Sequence, residues 1–230
     1  MQRRMLKNRD KPVITGWEGP IGGGKSTASE LFARHTGAEL IIEPVDEERL
    51  NEFYQAIELR SDLYLPIAKE IRTRVGFEFQ LYMMDRRMRG HRLADARLAN
   101  GLSTTLDRTL FGDRVFKNMG LEAGWYTQHQ SQLYDDLINT FSGMYRSPMH
   151  LVYIELSPEK CMERIAKRGR PEEVGITVEY LQALDARYEE WIQEVESGEH
   201  FWSAGCTVHR VNGDQSVEGV VEDACIAIYG

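Results

Sequence analysis

Gly19-x4-Gly24-Lys25-Ser26 constrains this chain more than any other feature, because the pattern requires a strand before it and a helix after it. The flanking residues meet both requirements. Val13-Ile14-Thr15-Gly16-Trp17 reads as a short strand, and Ala28, Leu31, Phe32 and His35 recur at helical spacing up to Gly37. This is the Walker A phosphate-loop pattern in its proper context. Glycines let the backbone aim successive N–H groups inward, and the helix N-terminus adds positive potential. Gly19, Gly22, Gly23, Gly24, Lys25, Ser26 and Thr27 are therefore expected to cradle the phosphates of ATP or another nucleoside triphosphate. Lys25 would reach the β- and γ-phosphates, and the Ser26 hydroxyl would ligate Mg²⁺.

Further along the chain, strand-like and helix-like segments alternate. Leu40-Ile41-Ile42 is an apolar run stopped by Pro44, and a charge-rich helix is expected from Val75 to Asn100. Ser103 to Leu106 is β-branched and ends at Asp107. His150 to Leu156 is the clearest strand, with Pro158 opening the next helix; Cys206 to Val211 and a helix over Ser216 to Tyr229 complete the series. Such alternation implies an α/β fold with a parallel sheet and helices on both faces. Ligands of such sheets sit at the carboxyl ends of strands. The phosphate loop, Glu43, Asp107 and Arg108 should therefore share one crevice. With no repeat or low-complexity linker, the expectation is a flexible tail over residues 1–12 and a single domain over 13–230.

Composition excludes some partners. The 230 residues carry a formal net charge of -8, which argues against nucleic acid as a partner. No stretch approaches the roughly 20 apolar residues of a membrane span, and the first eleven residues lack the apolar core of a signal peptide. Cys161, Cys206 and Cys225 are odd in number and widely spaced, with neither a metal-ligand nor a disulfide pattern. A cytoplasmic protein with buried cysteines is the expected case.

The remaining polar residues suggest phosphoryl transfer. Asp107-Arg108 places a metal-directed carboxylate beside a guanidinium that could stabilise charge on the moving phosphoryl. Glu43 follows another strand, where it could take a proton from an attacking hydroxyl. Arg164 and Arg168 are four apart on one helical face, Gly169 breaks that helix, and Arg170 follows. A basic lid over about residues 164–175, closing on triphosphate to exclude water, fits this pattern; a solvated basic helix end also fits.

Taken in order, these motifs resemble the deoxyribonucleoside kinases. They are Gly19 to Thr27, Glu43-Pro44-Val45, Phe53-Tyr54, Phe79-Gln80-x-Tyr82, Asp107-Arg108-Thr109 with Asp113, and Arg168-Gly169-Arg170-x-Glu172-Glu173. The resemblance covers roughly Val13 to Asp214. It implies a three-layer P-loop kinase fold with a five-stranded parallel sheet and an arginine-rich lid, acting on a deoxynucleoside with ATP and Mg²⁺. It also implies residue roles. Glu43 looks like the general base at the 5′-hydroxyl, Arg108 its partner, and Asp107 the metal-associated carboxylate. Tyr54 and Glu173 look like the pair on the 3′-hydroxyl, with Tyr64 a rival for Tyr54. Gln80 looks like the reader of the base, with Phe79 packing nearby. Arg164, Arg168 and Arg170 look like the lid arginines. Arg87 with Asp113 accompanies members that take purine deoxynucleosides or deoxycytidine; a surface salt bridge is the alternative reading of that pair. About a dozen residues around Arg60 to Arg74 look inserted, and Met83 would narrow the base pocket.

Two other functions compete. A thymidylate-like nucleoside monophosphate kinase shares the loop, the Asp-Arg pair and the lid, but needs an extra arginine for the acceptor phosphate and no base at Glu43. A non-catalytic nucleotide-binding subunit would not need this whole set. Aromatic and methionine residues on the helices from Val75 and from Thr127 could form a homodimer face, as the resemblance implies, or ordinary core.

Overall fold

A computed structural model describes residues 11–43, 46–57 and 65–230. Most of the expected N-terminal tail, Pro44, Val45, Arg60 and the rival Tyr64 lie outside the described residues, as does the Glu172 side chain. The elements run β1 (Ile14–Glu18), α1 (Lys25–Thr36), β2 (Glu39–Ile41), α2 (Glu47–Ile57), α3 (Leu65–Ala99), β3 (Thr104–Asp107) and α4 (Asp113–Glu122). They continue with α5 (Gln128–Ser142), β4 (His150–Glu155), α6 (Pro158–Arg168), a 3₁₀ turn (Pro171–Glu173), α7 (Val178–Ser197), β5 (Thr207–Asn212) and α8 (Val217–Tyr229).

The five strands pair in the order β2-β3-β1-β4-β5, all parallel. β1 is central and, like its neighbour β3, buried along its whole length, so the segment feeding the glycine loop is fully enclosed. Side-chain alternation on β4 shows the three layers. Leu151 and Tyr153 face a core built with α4, α6 and α7, including Val115, Ile165, Leu181, Tyr188 and Trp191. Val152 and Ile154 face the opposite core with Phe32 of α1 and Val221, Ala224 and Ile228 of α8. This is the expected α/β fold, with the carboxyl ends of all strands on one rim.

Local signals account for most boundaries. Gly37 closes α1 in the left-handed conformation, its N–H bonded to Ala33 O at 2.9 Å. Thr127 and Gln130 form a capping box on α5, and Ser157 caps α6 ahead of Pro158. One boundary differs by ten residues: the helix expected from Val75 begins at Leu65. Residues 65–74 of the supposed insertion are therefore the first turns of α3. Leu65, Ala68 and Ile71 recur there at helical spacing with Pro66 in the first turn, so the start of the helix is a local signal that the resemblance set aside as an insertion.

Candidate active site

The loop between β1 and α1 wraps as the glycine pattern requires. Gly22 has φ 83, and a Cβ there would lie 2.7 Å from the Cys161 carbonyl, so only glycine fits against α6. Lys25 is 6% exposed and donates to Gly19 O at 2.9 Å and Pro20 O at 2.7 Å, curled over its own loop. Burial, then the nearby Arg108, lowers its pKa to about 7, against the pull of Asp107, Glu18 and Glu43. Gly24, Ser26 and Thr27 stay exposed at the mouth.

Opposite the loop lies a buried lattice of charges. Glu43, two residues past β2, is gripped from two sides. Arg87 of α3 donates to Oε1 through Nε at 2.9 Å and also through Nη2, while Arg108 Nε lies 3.2 Å from Oε2. Burial alone would raise the Glu43 pKa, but the two guanidiniums outweigh it and hold the carboxyl below the usual carboxylate range. The other end of Arg87 pairs with Asp113, whose side chain has no exposure. Gln80 Nε2 donates to the same carboxylate at 2.8 Å, and so does the Tyr134 hydroxyl. Arg87 and Asp113 are thus no surface salt bridge but a buried pair, and Glu43 is part of the same network. Met83 is buried beside Gln80 on α3, and Phe79 stacks on Phe53 of α2 with ring centroids 4.6 Å apart.

Asp107 ends β3 and is paired in register with Trp17 of β1, which places it beside the phosphate loop. Arg108 follows with φ 67, the only left-handed residue other than glycine among those described. Tyr54 lies on α2, which packs against the turn that carries Glu173, so the two sugar-clamp candidates come from adjacent elements. Glu173 itself is bound by Arg168, with Nε at 3.0 Å from Oε2, and by Arg170 at 4.0 Å.

The lid region corrects one expectation. Arg164 is not part of a loose flap: α6 runs to Arg168, and Arg164 is fixed by Nη2 to Gly213 O at 2.7 Å and by Nη1 to Gly23 O at 3.3 Å. It ties the phosphate loop to the turn after β5. The irregular part begins at Gly169, whose φ of 66 ends the helix as its sequence predicts.

Several site residues escaped the sequence reading. Glu18, 1% exposed at the end of β1, accepts from the Thr109 N–H at 2.7 Å and the Thr109 hydroxyl at 2.8 Å. Its signal was present: an acidic residue closing a buried strand directly before the loop. Tyr188, which bonds both Arg108 and Glu18, sits at the apolar spacing of α7 and reads as core, as does Tyr134 on α5. Phe116 of α4 lies under both guanidiniums, 4.7 Å from that of Arg108 and 5.6 Å from that of Arg87.

Known proteins resemble this chain in sequence and fold. The family profile described as "Deoxynucleoside kinase" matches residues 16–224. Deoxycytidine kinase 2 of Gallus gallus is 31% identical over 193 residues, covering 77% of this chain and 72% of the relative. Deoxyguanosine kinase of Bacillus subtilis is 27% identical over 199 residues, covering 86% and 84%. The solved structure of deoxyadenosine kinase from M. mycoides with bound dATP superposes with a TM-score of 0.72 at 26% identity, over 95% of this chain and all of that one. A phosphate loop facing a buried carboxylate–arginine pocket, on a chain that matches this family along nearly its whole length, gives the conclusion: the chain belongs to the deoxynucleoside kinase family and is a phosphotransferase.

Proposed function

We propose that this enzyme transfers the γ-phosphoryl of ATP to the 5′-hydroxyl of a purine deoxynucleoside or of deoxycytidine, acting as a single domain over residues 13–230. The observation that carries this reading is the Glu43 carboxylate, held between Arg87 and Arg108 across the pocket from Lys25. An ionised carboxylate there accepts the hydroxyl proton as the oxygen attacks, and Arg108 stabilises charge on the phosphoryl. Gln80, Arg87 and Asp113 offer donors and an acceptor to the edge of a base carrying an amino group. Tyr54 and Glu173 would hold the 3′-hydroxyl, and Arg164, Arg168 and Arg170 the phosphates.

The acceptor is a neutral nucleoside, not a monophosphate. Both pocket arginines are already matched by carboxylates, Arg87 by Glu43 and Asp113, Arg108 by Glu43 and Glu18. A dianionic acceptor brought into that pocket would face three carboxylates.

Mg²⁺ would be held by the Ser26 hydroxyl and Asp107. A hydroxyl at the start of α1 and one carboxylate at the end of the neighbouring strand form the sparse oxygen set this ion takes when phosphates and water complete its shell. Among the described residues no three His, Cys, Asp or Glu side chains converge on a metal by themselves. When bound, the ion would neutralise charge on the β- and γ-phosphates.

A homodimer through α3 and α5 is part of the proposal, since Leu93 and Leu133 on these helices are 42% and 45% exposed. No helix among the described residues is long and apolar enough to cross a membrane, and none of the three cysteines is in a disulfide, in keeping with a cytoplasmic site. Nothing in the pocket calls for nucleic acid. The test is an assay of the purified protein with Mg-ATP against the four deoxynucleosides and their monophosphates. Turnover of deoxyadenosine, deoxyguanosine or deoxycytidine is expected; turnover of monophosphates alone would move the protein to the competing class.

A further inference from the structure

Arg108 occupies a position that its own backbone disfavours. A long side chain at φ 67 persists only where surrounding contacts hold it. The next residue supplies the first hold: the Thr109 N–H and hydroxyl both donate to Glu18 Oε1, at 2.7 and 2.8 Å. Thr109 Oγ1 in turn accepts from the Gly112 N–H at 3.1 Å. A Cβ on residue 112 would lie 2.4 Å from Glu18 Oε1, so the turn closes on this carboxylate because residue 112 is glycine.

The second hold is on the side chain. Arg108 Nη1 donates to the Tyr188 hydroxyl, which donates to Glu18 Oε2 at 3.2 Å. Arg108 Nη1 itself lies 3.7 Å from that oxygen. Burial keeps the Tyr188 hydroxyl protonated, against the opposing pull of Arg108, so it has one proton to give and lone pairs to accept with. One carboxylate therefore fixes both the backbone turn and the far edge of the guanidinium, leaving Nε to face Glu43 at 3.2 Å.

We infer that Glu18 and Tyr188 are positioning residues for phosphoryl transfer, setting the Arg108 guanidinium through the relay Arg108–Tyr188–Glu18–Thr109. The inference rests on the role proposed above for Arg108. Neither residue reaches the reacting atoms in this relay. They act on rate because charge stabilisation of a transition state depends steeply on where the guanidinium is held.

The test is a cycle of single and double variants. Tyr188→Phe removes one buried hydroxyl and keeps the ring. It should lower kcat about 10-fold, the worth of a hydrogen bond to a charged group, and leave KM for ATP and deoxynucleoside within about 2-fold. Glu18→Gln keeps an acceptor for Thr109 but turns a donor amide towards Tyr188, and should lower kcat similarly. In an Arg108→Ala background, Tyr188→Phe should change kcat by less than about 2-fold, because its effect passes through the missing guanidinium. Folded Tyr188→Phe enzyme with wild-type kcat overturns the relay. So does the same loss persisting without Arg108, or a rise in KM at unchanged kcat. Wild-type kcat in Arg108→Ala alone would locate the failure in the role of Arg108 itself.

Discussion

Two arginine-rich regions bound this pocket, and they are held in different ways. On the acceptor side, the side chains of Glu43, Arg87, Arg108 and Asp113 are exposed by 14, 5, 8 and 0%. At the end of α6, Arg168 and Arg170 are 36 and 57% exposed, although the Glu173 carboxylate they meet is only 9% exposed. Buried ion pairs bear a large desolvation penalty and survive only with complementary geometry, so the acceptor side is built once and stays put. Exposed pairs are screened, contribute little and exchange partners at small cost. In the proposed lid, Arg168 and Arg170 keep a solvent-facing side and would trade a carboxylate for a phosphate at smaller cost than Arg87 or Arg108. Arg164, anchored to the carbonyls of Gly23 and Gly213, belongs with the fixed half although its sequence neighbours belong with the other.

That contrast can be broken most forcefully at Glu43. Glu43→Gln is expected to lower kcat by about 10²- to 10⁴-fold while ATP affinity, measured by calorimetry, stays near wild type. Wild-type turnover would remove Glu43 from the chemistry. Next in size is the buried pair itself. Arg87→Ala strands Asp113 without its counter-charge and should cost about 3–5 kcal/mol in urea unfolding. A loss as small as a surface pair would show that this pair is more solvated than its geometry implies.

His91 tests the burial behind this pair. It accepts from the Leu110 N–H at 3.0 Å, and burial lowers its pKa to about 4. The unfolded chain takes up this proton below its ordinary value of 6.5, whereas the folded protein resists until about 4. Stability should therefore fall as pH drops from 6.5 to 4, by on the order of 3 kcal/mol from this residue. The slope of unfolding free energy against pH should flatten in His91→Gln; an unchanged slope would refute the assignment.

Lys25 stands between the two regions. With its pKa near 7 it is mostly neutral at pH 8, and bound phosphates would raise it, so Mg-ATP binding should take up close to one proton there. This uptake weakens ATP binding as pH rises above 7, by on the order of 1 kcal/mol at pH 8, and the effect fades towards pH 6. Calorimetry in buffers of different ionisation enthalpy reads this directly, and Lys25→Met should abolish it. A smaller effect is expected at the proposed lid: Arg168→Ala, at a partly exposed arginine, should cost less stability than Arg87→Ala while raising KM for ATP. A stability loss equal to that of Arg87→Ala would erase the distinction between the two regions.

Legibility in the sequence followed locality. The strand, loop and helix around Gly19 to Ser26 are contiguous, so periodicity, glycine placement and capping residues report them directly. Asp107-Arg108 and Gly169 are likewise short-range signals that the structure places where they were expected. The start of α3 was missed although Leu65, Ala68 and Ile71 carry a helical period, because the resemblance set that stretch apart as an insertion. Phe116, Tyr134 and Tyr188 were illegible for a different reason: each looks like part of the apolar face of a helix until another element is brought against it.

By itself, then, the sequence determined that this chain builds a parallel α/β sheet with a phosphate loop at the rim, since those features depend on residues within a few positions of one another. Only the tertiary structure decided how the charges pair. Arg87 reaches Glu43 across 44 residues, Tyr188 reaches Glu18 across 170, and Arg164 reaches Gly23 across 141. Which guanidinium meets which carboxylate depends on how helices from both faces of the sheet converge on its carboxyl edge. That convergence is fixed by the packing of the two cores, which no local pattern encodes.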